Sequence, residues 1–168
     1  MNYKKFIFAL LIYLSSFLNV QSIEPDIFVQ STVNRASKIL SQDLAKEEKI
    51  EKLKIIAEET VDIRGIGFYT LGGARKNLSD TDKQKYTKLF KNYFLKSFSS
   101  RLAEYTNPEI DVQGKNIINE NYTIVNSVLK ATNERPEIKI DWRIYTKDSG
   151  NPMIRLSLIH ISEPTRRI

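Results

Sequence analysis

The residues of this chain that could take part in catalysis are few and widely spaced. Gly65, Gly67 and Thr70 stand where a dinucleotide-binding loop has its three glycines, so the third glycine is missing, and the segment is helix-like rather than a strand followed by a turn. A single histidine, His160, excludes a zinc site built on a histidine pair. The absence of cysteine excludes a thiol nucleophile, a cysteine-based metal site and a disulfide framework. With no G-x-S-x-G elbow and no P-loop in the sequence, we predict a protein that is not an enzyme and needs no cofactor or metal ion.

The chain is rich instead in large apolar side chains that recur with regular spacing. From residue 81 onward they lie three and four residues apart, which is typical of an amphipathic helix: Tyr86, Leu89, Phe90, Tyr93, Phe94, Phe98 and Leu102. Over residues 137–146 they alternate with polar residues, which is typical of a strand with one buried face: Ile138, Ile140, Trp142 and Ile144. Such residues either fill an ordinary core or line an apolar cavity, and the pattern alone leaves both possibilities open.

Helices must fill the first half of the chain. Pro25 suits the first turn of a helix, and an apolar stripe follows it to about residue 42: Ile27, Phe28, Val33, Ala36, Ile39 and Leu40. A second helix is predicted over residues 46–61, with Ile50, Leu53, Ile56, Ala57 and Val61 as its buried face. Both stripes are most simply explained by core packing.

Two capping residues frame the centre of the chain. Asp62 can accept hydrogen bonds from the first turn of a short helix that carries Ile66, Phe68, Tyr69 and Leu71 and stops at Gly72-Gly73. Ser79, with Asp82 three residues later, is a variant of the capping box and begins the long aromatic helix. A polar elbow at residues 74–77 separates the two helices.

The second half of the chain changes to a period of two after Pro108. Strands are predicted over residues 109–114, 121–132 and 137–146, with turns at residues 133–136 and 147–151, and Met153 begins a fourth strand. The second strand places Thr123, Val125, Ser127, Leu129 and Ala131 on one face. Helices followed by an antiparallel meander predict an α+β domain, with helices on one face of the sheet.

The stretch from Asp62 to Phe94 resembles the MlaC family of periplasmic phospholipid-binding carriers, also known as toluene-tolerance auxiliary proteins. The resemblance rests on D-I-x-x-I-G-F-Y-T-L-G, a polar elbow, and L-S-D-x-x-x-x-K-Y-x-x-L-F-x-N-Y-F. I-D-W-R-I-Y, before a glycine-containing turn, is similar to the family's penultimate strand. The family pattern has a bulky aromatic and a basic residue after Leu-Gly, and here Gly73-Ala74-Arg75 keeps only the basic one.

The resemblance, which spans roughly residues 28–155, implies a curved antiparallel sheet that encloses an apolar cavity for acyl chains together with the helices. It implies phospholipid as the ligand, an inner-membrane ABC transporter complex and an outer-membrane lipoprotein complex as partners, and a monomeric carrier. The residues expected to contact lipid are Phe68, Leu71, Phe90, Phe94, Phe98, Val125, Leu129, Ile140, Trp142 and Ile144. The alternative is a secreted α+β binding or enzyme module for a small polar ligand. A pocket lined by apolar side chains without convergent charge would favour lipid.

Residues 1–22 are predicted to be a secretory signal peptide. Lys4 and Lys5 precede an apolar run from Phe6 to Leu18, and Val20-Gln21-Ser22 fits a cleavage site, so the mature protein would begin near Ile23 in the periplasm. A membrane anchor is the alternative, but a spanning helix needs about 20 apolar residues.

The last residues, 156–168, are predicted to be a non-native tail. L-S-L-I-H-I-S-E-P-T-R is what a sequencing-library adapter gives on translation, whereas the alternative is a genuine apolar strand and loop. Family members continue with a strand and a closing helix, so the resemblance implies a chain cut short after Arg155. A single lipid-binding domain is then expected over residues 23–155.

Charge in that domain is nearly balanced. It contains 22 lysines and arginines against 19 aspartates and glutamates, a formal net charge of +3. Because the two signs are interleaved, no nucleic-acid-binding stripe is visible.

Overall fold

The computed structural model describes residues 23–133, 135–147 and 150–161, with the side chain of residue 161 left out. The predicted signal peptide lies outside the described residues, as do parts of two predicted turns and most of the predicted tail. Among the described helices, none is both long and apolar enough to cross a bilayer.

Four α-helices come first in the chain. They are α1 (Pro25–Leu40), α2 (Lys46–Thr60), α3 (Ile63–Thr70) and α4 (Asp80–Leu102), with a 3-10 helix at Gly72–Lys76 before α4. Both predicted caps are confirmed, since Asp62 accepts from the backbone N–H of Gly65 at 2.8 Å and Ser79 from that of Asp82 at 3.1 Å. Gly72 has a φ of 53°, a conformation that favours glycine where α3 ends.

Four strands follow in a meander. They are β1 (Ile110–Asn119), β2 (Tyr122–Leu129), β3 (Ile138–Tyr145) and β4 (Met153–Ile161), paired antiparallel in the order β1-β2-β3-β4. The prediction of an α+β domain with an antiparallel meander is therefore confirmed. Strand β1 is longer than predicted, because the ladder continues past Gly114 through an irregularity between Val112 and Gly114.

The segment predicted to be foreign forms the outer part of β4, where Leu156 pairs with Arg143 and Ile159 with Ile140. Backbone hydrogen bonds at a sheet edge are available to any extended segment. The pairing is therefore compatible both with a genuine strand and with a foreign tail.

The core lies between the helices and one face of the sheet. Its fully buried centre is formed by Val29 of α1, Ala57 of α2, Val125 of β2 and Ile144 of β3. Strand β2 buries the predicted residues Thr123, Val125, Ser127 and Leu129, although Val128 is buried as well at its end, and Ala131 lies outside the strand and is exposed. Three further residues of the predicted apolar stripes are exposed instead of buried: Ile27, Leu89 and Tyr93.

Helix α1 and β1 are joined by polar contacts beside their apolar packing in the core. The side-chain amide of Gln30 donates to the carbonyl of Ile110 and accepts from the N–H of Val112. Lys115 of β1 forms ion pairs with Glu24 and with Asp26, the latter at 2.8 Å. These contacts hold α1 against β1, the strand at one edge of the sheet.

Candidate functional site

An apolar cavity of about 160 Å³ lies between the helices and the inner face of the sheet. Helices α1 and α2 form one wall, the C-terminal end of α4 closes one side, and β2, β3 and β4 form the opposite wall. The walls are lined by Thr32, Val33, Ala36, Ser37, Leu40, Leu53, Ile56, Ala57, Thr60, Val61, Phe98, Leu102, Tyr105, Pro108, Ile110, Leu129, Ile140, Trp142, Ile154, Ser157 and Ile159. No charged side chain of the described residues takes part in this lining.

The hydroxyl groups of the helical wall are turned into the backbone. Thr32 donates to the carbonyl of Phe28 at 2.8 Å, Thr60 to that of Ile56 at 2.7 Å, and Ser37 to that of Pro108 at 2.9 Å. When the hydroxyl of a serine or threonine is bonded in this way, mainly the carbon atoms of that side chain face the cavity. The wall is therefore more apolar than its residue types suggest.

Trp142 is the only tryptophan of the chain and stands in the sheet wall. Its indole N–H donates to the hydroxyl of Ser127 at 2.8 Å on the neighbouring strand. A satisfied indole N–H allows the ring to contribute a flat apolar surface. Its fluorescence also reports on whatever fills the cavity.

Small residues leave the space that the cavity occupies. Ala36 and Ser37 of α1 and Ala57 of α2 contribute only small side chains to the helical wall of the cavity. The volume is below the roughly 300 Å³ at which pockets for drug-sized ligands begin. A ligand the size of a full acyl chain would therefore fit only if the walls separated.

The ten residues predicted to contact lipid fall into three groups. Four line the cavity: Phe98, Leu129, Ile140 and Trp142. Four others belong to the packed core beside it: Phe90, Phe94, Val125 and Ile144. The last two, Phe68 and Leu71, are half-buried and lie outside the lining of this cavity.

The aromatic side chains of α4 form a continuous row. Tyr86, Phe90, Phe94 and Phe98 follow one another every four residues with ring centroids 5.7, 6.2 and 5.3 Å apart. Only the last of them reaches the cavity. Phe90 instead packs where Gly67 of α3 leaves room, since a Cβ there would come within 2.9 Å of the ring.

Sequence reasoning assigned the helical wall to plain core packing. The α1 and α2 positions of the lining were recognised as buried stripes, but nothing local distinguishes a stripe that touches a sheet from one that stands apart from it. One signal in the sequence could have indicated a cavity here. The small residues Ala36, Ser37 and Ala57 stand within the buried stripes of two helices, whereas the strands opposite are rich in large side chains.

A second, polar cleft of about 350 Å³ lies between α3 and the other face of the sheet. It is lined by Gly65, Phe68, Tyr69, Arg75, Tyr122, Arg143, Arg155 and Leu156. Arg155 bonds to Asp62 at 2.7 Å and to the hydroxyl of Tyr122, and its guanidinium lies 3.5 Å from the ring centre of Tyr145. Burial by itself would lower the pKa of Arg155, but these hydrogen bonds raise it above the usual range.

Neither the apolar cavity nor the polar cleft offers a metal site among the described residues. Within the described part of the chain, no group of three or more His, Cys, Asp or Glu side chains is placed to hold a metal ion.

A family model described as MlaC protein matches residues 30–155. The chain belongs to the MlaC family. The match runs from α1 into the beginning of β4, so of the cavity-lining residues only Ser157 and Ile159 lie beyond it.

A solved structure similar to this MlaC-family chain is that of a phospholipid-binding protein from Ralstonia solanacearum in complex with a phospholipid. The two chains share 13% sequence identity over 80% of each, with a TM-score of 0.64. At this identity the likeness shows a common fold. A comparison with curated proteins found no match.

Proposed function

We propose that this protein is a periplasmic carrier that encloses phospholipid acyl chains in the apolar cavity and shuttles lipid between an outer-membrane and an inner-membrane complex. The observation that carries the proposal is the cavity lining, which contains aliphatic and aromatic side chains and no charge among the described residues. Membership of the MlaC family and the fold shared with a phospholipid-bound protein support the same conclusion.

The physical need for such a carrier follows from the cost of exposing acyl chains. Each methylene group in water costs about 0.8 kcal/mol, so a chain of about 16 carbons costs roughly 13 kcal/mol. At 1.36 kcal/mol for each factor of ten, unaided escape from a bilayer is slowed by roughly nine orders of magnitude. A protein that surrounds the chain removes most of this cost and needs no covalent or acid–base step, so we infer that the protein is not an enzyme.

Loading must widen the cavity. The opening we propose is the seam between α1 and the sheet, where Gln30 and Lys115 make contacts that water can replace. Opening there would also uncover apolar side chains with which α1 packs on the sheet, such as Val29, and a bound acyl chain would cover them again. The head group would remain in solvent at this seam.

The alternative function, binding of a small polar ligand, is favoured by one observation, the arginine-lined cleft. Arg75 and Arg143 form no ion pair with any described residue, and both face the cleft. This alternative predicts that inorganic phosphate binds the purified protein and protects it against thermal unfolding, and that Arg143→Gln removes the protection. The lipid proposal predicts no such dependence.

The experiment that tests the lipid proposal begins with the complete gene expressed in a Gram-negative host. Native mass spectrometry of protein from the periplasmic extract should show a monomer with bound phospholipid. N-terminal sequencing should begin near Ile23. Recovery of intact Met1 in the membrane fraction, or protein without lipid, would overturn the proposal.

The shuttle itself needs a transfer assay. Protein loaded with a brominated phospholipid, whose acyl bromines quench tryptophan on contact, should show quenched Trp142 fluorescence. Mixing with vesicles that contain the inner-membrane transporter complex should restore the fluorescence as lipid leaves. Equal recovery with vesicles that lack the complex would argue against a specific partner.

A further inference from the structure

The solvent side of α4 carries lysines and exposed apolar side chains in one line. Lys85, Leu89, Tyr93 and Lys96 follow at spacings of four, four and three, which places them on one face of the helix; we call these four residues the α4 outer stripe. Leu89 is 59% exposed and Tyr93 is 69% exposed. The cavity-lining Phe98 lies on the opposite side of the same helix.

An exposed leucine by itself is ordinary on a protein surface. What distinguishes this surface is its charge, because residues 83–103 contain six lysines and arginines and no aspartate or glutamate. Lys83 pairs with Asp80 and Lys91 pairs with Glu58. The two lysines of the stripe form no ion pair among the described residues, and neither does Lys88 on its flank.

Helix α2 provides the contrast within the same molecule. Its exposed apolar residue, Ile55, is 58% exposed and stands on a helix that carries five glutamates and four lysines. Ion pairs along that helix, such as Lys52–Glu48 and Lys54–Glu51, cancel much of its charge. Unlike Ile55, the exposed Leu89 and Tyr93 of α4 thus stand beside lysines that form no ion pair among the described residues.

We propose that the α4 outer stripe docks the protein onto the surface of an anionic phospholipid bilayer. The stripe is an exposed row of side chains along one helix, which can lie against a flat, deformable surface. Lysines reach lipid phosphates with flexible stems, tyrosine prefers the level of the head groups, and leucine inserts between acyl chains. The charge of the ridge is complementary to phosphatidylglycerol or other acidic lipids.

One neighbouring feature sets the orientation. Glu47 and Glu51 of α2 share a groove with Lys96, so the C-terminal end of the stripe is the less positive end. The Lys85 end should lie closest to the bilayer. Because the cavity is on the other side of α4, docking leaves the seam between α1 and β1 open to solvent.

The test uses the full-length protein and sedimentation with two kinds of vesicle, one of phosphatidylcholine alone and one of equal parts phosphatidylcholine and phosphatidylglycerol. The variant is the triple charge reversal Lys85→Glu, Lys88→Glu and Lys96→Glu. Its matched control reverses three exposed lysines elsewhere, Lys38→Glu, Lys139→Glu and Lys147→Glu, and so has the same net charge.

We expect binding to the anionic vesicles only, and it should weaken at high salt because the screening length is about 10 Å at 0.1 M salt. Each lysine near an anionic surface should contribute about five-fold in affinity. The stripe variant should therefore bind at least about 100-fold more weakly, whereas the control should lose much less.

The apolar residues are tested separately. Leu89→Ser with Tyr93→Ser should weaken binding at every salt concentration, whereas Ile55→Ser with Ile117→Ser, two equally exposed positions, should leave it unchanged. Equal losses in the stripe and control variants of either set would overturn the proposal. Binding of the wild type to neutral vesicles would also overturn it. The proposal would fail as well if the stripe bound an acidic protein of the membrane complexes but no vesicle without protein.

Loading of the cavity is measured on the same samples with phosphatidylcholine presented in detergent micelles. The stripe variants should load as the wild type does, because none of the changed residues lines the cavity. Loss of vesicle binding with normal loading in the stripe variants supports docking. Normal vesicle binding by these variants would overturn it, and a wild-type protein that binds anionic vesicles but takes up no lipid would count against the carrier function alone.

Discussion

A carboxylate placed on the inner face of β2 should act differently at two positions four residues apart. Leu129 borders the cavity, whereas Val125 is fully buried in the core and pairs with Trp142 on β3. We therefore compare Leu129→Asp with Val125→Asp. The two variants introduce the same group on the same strand and the same face.

At Val125 the charge has no water and no partner within the packed core. The lost apolar burial costs about 1.5 kcal/mol or more, and an uncompensated buried charge adds about 3–5 kcal/mol. A domain of this size is stable by only about 5–15 kcal/mol. Val125→Asp should therefore unfold at a much lower urea concentration or fail to fold.

At Leu129 the carboxylate can turn into the cavity. The volume of about 160 Å³ admits several water molecules, since each occupies about 30 Å³ in the liquid. The charge is then hydrated, and the cost is reduced to the lost leucine burial of about 2 kcal/mol. Leu129→Asp should retain a cooperative unfolding transition but lose copurified lipid.

Lipid is measured by mass spectrometry of organic extracts, and stability by urea unfolding followed through Trp142. Ile117→Asp, at a position 75% exposed on β1, controls for a new carboxylate in the sheet and should change neither quantity. If Leu129→Asp retains its lipid, or if both buried variants unfold to the same extent, the distinction between cavity wall and core is refuted.

Three further outcomes are expected. The ion pair with Lys115 lowers the pKa of Asp26. The stabilisation by this pair is therefore complete above the pKa of Asp26 in the unfolded chain, about 3.9. It is lost as the pH falls through the lowered pKa of the folded protein. Urea midpoints of Lys115→Met should accordingly fall less steeply with acid than those of the wild type. Gly67→Ala should cost about 1–3 kcal/mol, because its Cβ would meet the Phe90 ring at 2.9 Å; an unchanged melting temperature would contradict this close contact. Ser79→Ala should cost about 1 kcal/mol through loss of the helix cap, measured by urea unfolding, and Ser79→Asp should restore it.

Local features were predictable from the sequence, and long-range placement was not. The start of α2 at Lys46, the cap at Asp62 and the cap at Ser79 depend on neighbouring residues, so the sequence specifies them directly. The continuation of β1 past Gly114 depends on pairing with β2, which overrides the tendency of glycine to end a strand.

The candidate site was predicted in part for the same reason. Phe98 and Trp142, both predicted to contact lipid, border the same cavity, because their helix and strand have clear buried faces. Phe68 lies in the polar cleft instead, since α3 turns towards the other side of the sheet. Long-range contacts hold α3 there, among them the bond between Asp62 and Arg155, 93 residues apart, and no local pattern reveals them.

The side chain of Gln30 has a consequence for how the molecule remains separate from its neighbours. Strand β1 is an edge strand, and the unpaired backbone groups of such a strand can recruit strands of other molecules. Gln30 occupies two of these groups, with its amide N–H₂ on Ile110 and its amide oxygen on Val112, as a partner strand would. Glutamate has the same shape but cannot donate, and it would leave the carbonyl of Ile110 open. One amide group thus shields this part of the sheet edge against pairing with another strand, and it does so at the seam where we propose that lipid enters.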